Sequence, residues 1–285
     1  IHNRMLDFIK TNKNQPFFCY YAIIQPHAEM FAQEKYMQIY RGKFLPESSF
    51  KGTDSGPNFR RFAYGSQPEA HAAFAAMVHC IDDYVGDIVD QLETLGIQNN
   101  TMIVFTSDNG PHSEAGHDPE YFNSNGPFRG KKRDLYEGGI RVPMIVKWPS
   151  VVAANSRSDH ISAFWDVFPT LAEITCQSVP ENIDGISFLP TLYGSNEQEQ
   201  HDYLYWEFHE LKGRHAVRKG DWKGIRYNVS IQPNSPIELY NLLSDPGENT
   251  NVADQYPSIA EDLNKVLSHA RTAHEHPNFN FPVRR

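Results

Sequence analysis

The feature that most constrains the fold lies within residues 71–148, where one long amphipathic segment is followed by two short apolar runs. "HAAFAAMVHCIDDYVGDIVDQLETLG" repeats apolar residues at helical spacing and stops at Gly96, a residue type that closes helices in the left-handed conformation. "TMIVFT" and "VPMIVKW" are too short for helices and too continuously apolar for one-sided strands, so they read as strands buried on both faces. The earlier run "PFFCYYAII", from Pro16 to Ile24, has the same texture and predicts a further strand ending in "QPH". Strand, helix, strand in this order predicts an α/β sheet, with ligands at the carboxyl ends of its strands. "SAFWDVFPTLAEIT" adds a helix to this layer, and the opening "IHNRMLDFIK" reads like the middle of one.

Beyond about residue 200 the texture changes. "DYLYWEF", "HAVRKG", "WKGIRYN" and "IELYNL" are short, aromatic and separated by turn residues, which predicts a small antiparallel sheet. The segment from Pro257 to His274 predicts a closing helix. The expected division is an α/β part over residues 1–200 and a small α+β part over 201–285.

Composition then removes several function classes. A chain of 285 residues with 40% hydrophobic and 21% charged residues is ordinary globular protein. Its net charge of -9 excludes a general nucleic-acid binder, whose phosphate contacts need a basic surface, so any anion site must be local. Three cysteines, Cys19, Cys80 and Cys176, are too few and too scattered for a disulfide framework or a zinc cluster. No run approaches the roughly 20 apolar residues of a membrane span.

Asp108 and Asn109 follow directly on "TMIVFTS", at the carboxyl end of a predicted strand. A carboxylate and an amide oxygen are hard ligands that suit calcium, with magnesium the second choice, and the absence of neighbouring Cys or His disfavours zinc. "SDNG" is also an ordinary turn, and the tetrapeptide alone favours that reading. The sequence after it shifts the balance. "FRGKKRDLYEGGIRVP" gathers Arg129, Lys131, Lys132 and Arg133 in an otherwise acidic chain, and then runs straight into the next apolar strand. A solvated charged face is the usual meaning of such a run, but this location favours an anion site. His112, His117, Arg129, Arg133 and Asp134 are the candidates for substrate contact, although a lone loop histidine is more often a surface residue.

"TMIVFTSDNG" followed by "FRGKKRDLYEGGIRVPMIVKWP" resembles the formylglycine-dependent type I sulfatases of the alkaline-phosphatase-like superfamily. The resemblance extends over most of the chain. "PFFCYYAIIQPH" resembles the family's strand ending in an active-site histidine, "DGISFLPTL" its exit from the main domain, and "RHAVRKGDWKGIRY" with "ELYNLLSDPGENTNVA" its C-terminal subdomain. It implies an alkaline-phosphatase-like, largely parallel sheet flanked by helices, incomplete in this chain, plus the small antiparallel sheet with its helix. Residue by residue, it implies that Asp108 and Asn109 ligate a divalent cation, normally calcium, that Lys132 holds the sulfate, and that His27 contacts the ester and assists departure of the leaving oxygen. Glu137, Gly138, Gly139 and Arg141 would serve the shape of the loop.

The family's nucleophile, a formylglycine made from Cys or Ser in C-x-P-x-R or S-x-P-x-R, has no match here. None of the cysteines has that context, and "SQPEA" at Ser66 places Ala70 where Arg is required. The family's first metal pair is also unmatched. The resemblance therefore implies the C-terminal portion of a sulfatase, inactive by itself, whose N-terminal portion carries the formylglycine. The expected substrate is a sulfated carbohydrate, and the expected location is periplasmic or secreted in a bacterium, or lysosomal or otherwise secretory. The competing readings are a phosphomonoester or phosphonate hydrolase of the same superfamily and a noncatalytic module that binds sulfated glycans.

Overall fold

One face of the long helix α3 (Ala70–Thr94) is made of Ala72, Ala73, Ala76, Met77 and Cys80, small enough to let a neighbouring helix approach closely. In the computed structural model, which describes residues 1–59, 61 and 63–281, that neighbour is α2 (Glu34–Tyr40), whose Tyr36 and Met37 pack there beside Met30 and Ala115. Further along the helix, Ile88 and Leu92 are buried against Ile9 of α1 (His2–Asn12). His2 fastens the two helices by stacking on Tyr84, with ring centroids 4.0 Å apart, and by placing Nε2 3.0 Å from Asp87 Oδ2. The helix ends as its sequence predicts. Gly96 has φ 70°, its N–H donates to Glu93 O, and the N–H of Ile97 donates to Leu92 O, which satisfies two terminal carbonyls.

These helices, with residues 111–124 and 144–150, form the first of two compact units. Strands β1 (Ile103–Thr106) and β2 (Met144–Lys147) pair in a two-stranded sheet, but they are not buried on both faces as their apolar runs predict: Val104, Met144 and Ile145 are exposed. The segment Pro16–Ile24 does not join it. Its side chains alternate in exposure as a strand's would, Phe17 and Tyr21 packing inward while Phe18, Tyr20 and Ile24 are 71%, 82% and 62% exposed. Among the described residues, however, it has no ladder partner, and pleated alternation without a partner is not a strand. α2 is absent from the sequence-based expectation because its seven residues, about two turns, bury only Tyr36 and Met37, too short a stripe to read.

The second unit comprises residues 106–110, 125–143 and 151–285. Strands β3 (Leu204–Phe208), β4 (Arg214–Lys219), β5 (Trp222–Tyr227) and β6 (Glu238–Asn241) form an antiparallel meander in sequence order. Val217 and Leu239 face the helix α7 (Pro257–His269), meeting its Ala260, Leu263 and Leu267. The other face carries Ala216, Ile225 and Tyr240, and packs on Leu135 and Tyr136. The small sheet is therefore the floor under the basic loop.

Two sequence-based expectations need correction here. α7 stops at His269 rather than His274, because Asn280 takes the backbone beyond it: its Oδ1 accepts from the N–H of His274 and its Nδ2 donates to the carbonyl of His274. The helix predicted for "SAFWDVFPTLAEIT" is shorter than its pattern. That helix, α5 (Val167–Ile174), is preceded by a turn whose buried Asp166 accepts from the N–H of Ala163, while Ile186 N–H and the His201 ring engage its other oxygen. Asp166 thus ties three segments of the second unit together.

Candidate active site

In the second unit, the "SDNG" and "EGG" segments are pressed together through glycine backbone. Gly110 N–H donates to Gly139 O at 2.9 Å, and Gly138 N–H donates to Arg129 O at 2.7 Å. A Cβ on Gly138 would lie 2.5 Å from the carbonyl oxygens of both Arg129 and Gly130, and one on Gly110 would lie 1.8 Å from Gly138 O. Only glycine fits at either place. The consecutive glycines of the motif are therefore a packing requirement, the role expected for Gly138 and Gly139.

That packing presents Asp108 and Asn109. The Asn109 amide donates through Nδ2 to Gly110 O at 2.9 Å, which commits its nitrogen and turns its oxygen away. Ser107 Oγ donates to Asn109 O and stiffens the turn. Asp108 is exposed, and among the described residues its carboxylate accepts no hydrogen bond. Adjacent oxygens of this kind fit a hard cation, but two ligands fall well short of the six to eight that calcium takes. No cluster of three or more metal-ligating side chains occurs among the described residues.

The basic loop is gripped from the floor. Asp134 accepts from Lys131 N–H through Oδ2 and from the buried Arg214 through Oδ1, at 3.1 and 2.8 Å. Arg129 donates to the Glu248 carbonyl at 2.9 Å and lies 4.0 Å above the Tyr136 ring. As placed, Arg129 and Asp134 hold the loop. Lys131 is exposed and Lys132 half-buried. Arg133, at φ 79°, has Nε 3.9 Å from Glu210 Oε2 at the β3–β4 turn.

In the first unit, His27 is 46% exposed; its Nδ1 donates to Ala28 O and its Nε2 stands 3.6 Å from Glu114 Oε2. Its ring centroid is 5.5 Å from that of His112. His112 accepts from Glu114 N–H at Nδ1 and so carries its proton on Nε2, which donates to Pro26 O; both bonds are 3.0 Å. It ties the His27 loop to the loop after "SDNG". His117 is 4% exposed and stacks on Phe74 at 3.8 Å, and burial, followed by the neighbouring His112, pushes its pKa down to about 4. The ring held there faces the rings of Phe74, His112 and Phe122.

Sequence reasoning missed Glu114, Lys223 and Glu248. Lys223 is fully buried, with Nζ 2.9 Å from Glu137 Oε1 and 3.0 Å from Glu248 Oε1. Its signal was the strand period: Lys223 alternates in step with Ile225, a core residue.

A family model described as Sulfatase matches residues 1–177, and one described as N-sulphoglucosamine sulphohydrolase, C-terminal, matches residues 128–273. The chain is 28% identical to an N-acetylgalactosamine-6-O-sulfatase of Bacteroides thetaiotaomicron, over 95% of this chain and 50% of that protein. It is 31% identical to the human steryl-sulfatase, over 94% of this chain and 46% of that protein. It superposes on the solved structure of Ps i-CgsB in complex with k-i-k-neocarrahexaose with a TM-score of 0.73 and 26% identity, covering 94% of this chain and 53% of that one. The chain spans about half the length of the curated relatives it matches. A match across more than half of its residues, on an alkaline-phosphatase-like α/β fold, places the chain in the sulfatase family.

Proposed function

We propose that this chain is the C-terminal portion of an enzyme that hydrolyses sulfate monoesters on sulfated carbohydrates. The observation that carries the reading is the backbone lock between "SDNG" and "EGG", which sets a hard-ligand pair and a lysine-bearing loop side by side in an otherwise acidic protein. A sugar substrate is favoured by the polar, His- and Arg-bearing loops, and by the sugar-linked names of the N-acetylgalactosamine-6-O-sulfatase and neocarrahexaose-bound relatives. Residues 1–200 would be the C-terminal part of the catalytic α/β domain and 201–285 its small subdomain. The expected location is periplasmic or secreted in a bacterium, or lysosomal or otherwise secretory; no described helix is long and apolar enough to cross a membrane.

In this reading Asp108 and Asn109 hold calcium, with magnesium the second choice, and the remaining ligands come from the N-terminal portion. Calcium, when bound, supplies a Lewis acid for the sulfate oxygens, and formylglycine in the N-terminal portion supplies the nucleophile. Lys132 binds the sulfate and offsets the charge that builds on its oxygens. His27, whose Nδ1–H is held by Ala28 O, presents Nε2 to the leaving oxygen and, in its doubly protonated form, delivers from Nε2 the proton that an alkoxide requires. Arg133, with the β3–β4 turn, meets the sugar. Arg129, Asp134 and His112 act on substrate indirectly, by fixing the loops that carry Lys132 and His27, and His117 packs behind His112.

The test is sulfate release from sulfated sugars by the complete protein. Lys132→Ala and His27→Ala should each lower kcat by about 10²–10³-fold. Phosphate release that exceeds sulfate release would favour a phosphomonoesterase, and sugar binding without turnover would favour a noncatalytic module.

A further inference from the structure

One face of the small sheet is matched position by position to the loop above it. Arg214 takes Asp134, Arg218 lies 3.5 Å from Glu137 Oε2, and Lys223 takes Glu137 Oε1. Glu238 accepts from Tyr136 at 2.6 Å. Strand pairing sets Arg218 opposite Lys223, and Lys223 opposite Tyr240, so these groups share one surface. At its centre Glu137, Lys223 and Glu248 are each at most 3% exposed, and Glu248 Oε2 also accepts the N–H of Glu137 at 2.6 Å.

Burying three charges is expensive, and apolar residues of similar size would pack this space at less cost. What the ions provide is direction. Lys223 fixes the Glu137 carboxylate and Glu248 fixes the Glu137 backbone, immediately before the two glycines that close on Gly110. We propose that Lys223, with Glu248, is a positioning residue for the metal-ligand pair Asp108–Asn109, acting through Glu137 and the Gly139–Gly110 hydrogen bond. The C-terminal sheet then sets the geometry of a cation site to which it contributes no ligand. This rests on the reading of Asp108 and Asn109 as ligands.

The experiment is calorimetric titration of the complete protein with calcium chloride alone. Outer-shell changes typically cost 10–100-fold in metal affinity, and Lys223→Met combined with Glu248→Gln should weaken calcium by about that factor while the near-ultraviolet circular dichroism of the fold persists. Lys223→Arg, which keeps the bridge, should retain most of the affinity. If the double variant does not fold, Glu248→Gln alone carries the test, expected at about tenfold. Asp108→Ala is run beside them. Native calcium affinity in Asp108→Ala overturns the ligand assignment and this inference with it. Weak binding in Asp108→Ala together with native affinity in the folded Lys223 or Glu248 variant overturns this inference alone.

Discussion

Arg133 and Arg214 each face a carboxylate, and burial separates their consequences. Arg214 is 7% exposed, bonds Asp134 at 2.8 Å and lies over the Tyr227 ring. Removing it strands a partly buried carboxylate, so Arg214→Ala should cost about 2–3 kcal/mol in urea denaturation. Arg133 sits 3.9 Å from an exposed Glu210, and Arg133→Ala should change stability by less than about 1 kcal/mol. Comparable losses in both variants would contradict the clamp. His117 supplies a pH test. An ordinary histidine titrates near 6.5, but here burial pushes the value down to about 4. Between those values the unfolded chain takes up a proton that the folded chain refuses, so stability present above pH ~6.5 is lost as pH falls toward 4. The loss is at most about 3 kcal/mol. His117→Phe, set against Phe74, should flatten this slope between pH 7 and 4.5. An unchanged slope would place the acid sensitivity elsewhere.

At the scale of elements, the glycine-rich lock and the β3–β4 hairpin answer different questions. Gly138→Ala would drive a Cβ into two backbone carbonyls that have no side chain to yield, and should cost roughly 3 kcal/mol or more in thermal unfolding. Near-native stability would show that the two loops can separate. The hairpin turn 209–213 is expected to choose among sulfated sugars. Exchanging only those residues for the turn of a sulfatase with another preference should change the ranking of kcat/KM values, and an unchanged ranking would remove the turn from recognition. Arg214 must stay, since it grips Asp134. Much of this was legible in sequence: α3 and its Gly96 stop, the paired runs β1 and β2, the four-strand meander, and the SDNG and EGG segments. What escaped were features set by distant partners. Pro16–Ile24 has the pattern of a strand, but pairing is not encoded in the segment itself. Lys223 and Glu248 escaped because the groups that neutralise them lie far away in the chain.

At the scale of the molecule, this sequence carries a lysine, a histidine and two candidate calcium ligands, and no formylglycine precursor motif. The exposed face of Phe18, Tyr20 and Ile24 supports the proposal that an N-terminal portion completes the enzyme, because large apolar side chains in a row favour burial. Activity should then belong to the complete protein. The most direct measurement is sulfate release from a sulfated sugar by the complete protein, by the same protein with Lys132→Ala, and by the 285-residue chain alone, with intact mass confirming each polypeptide. The account expects turnover in the first, a loss of about 10²–10³-fold in the second and none in the third. Turnover by the chain alone, abolished by Lys132→Ala, would contradict it, because the nucleophile would then lie within these residues.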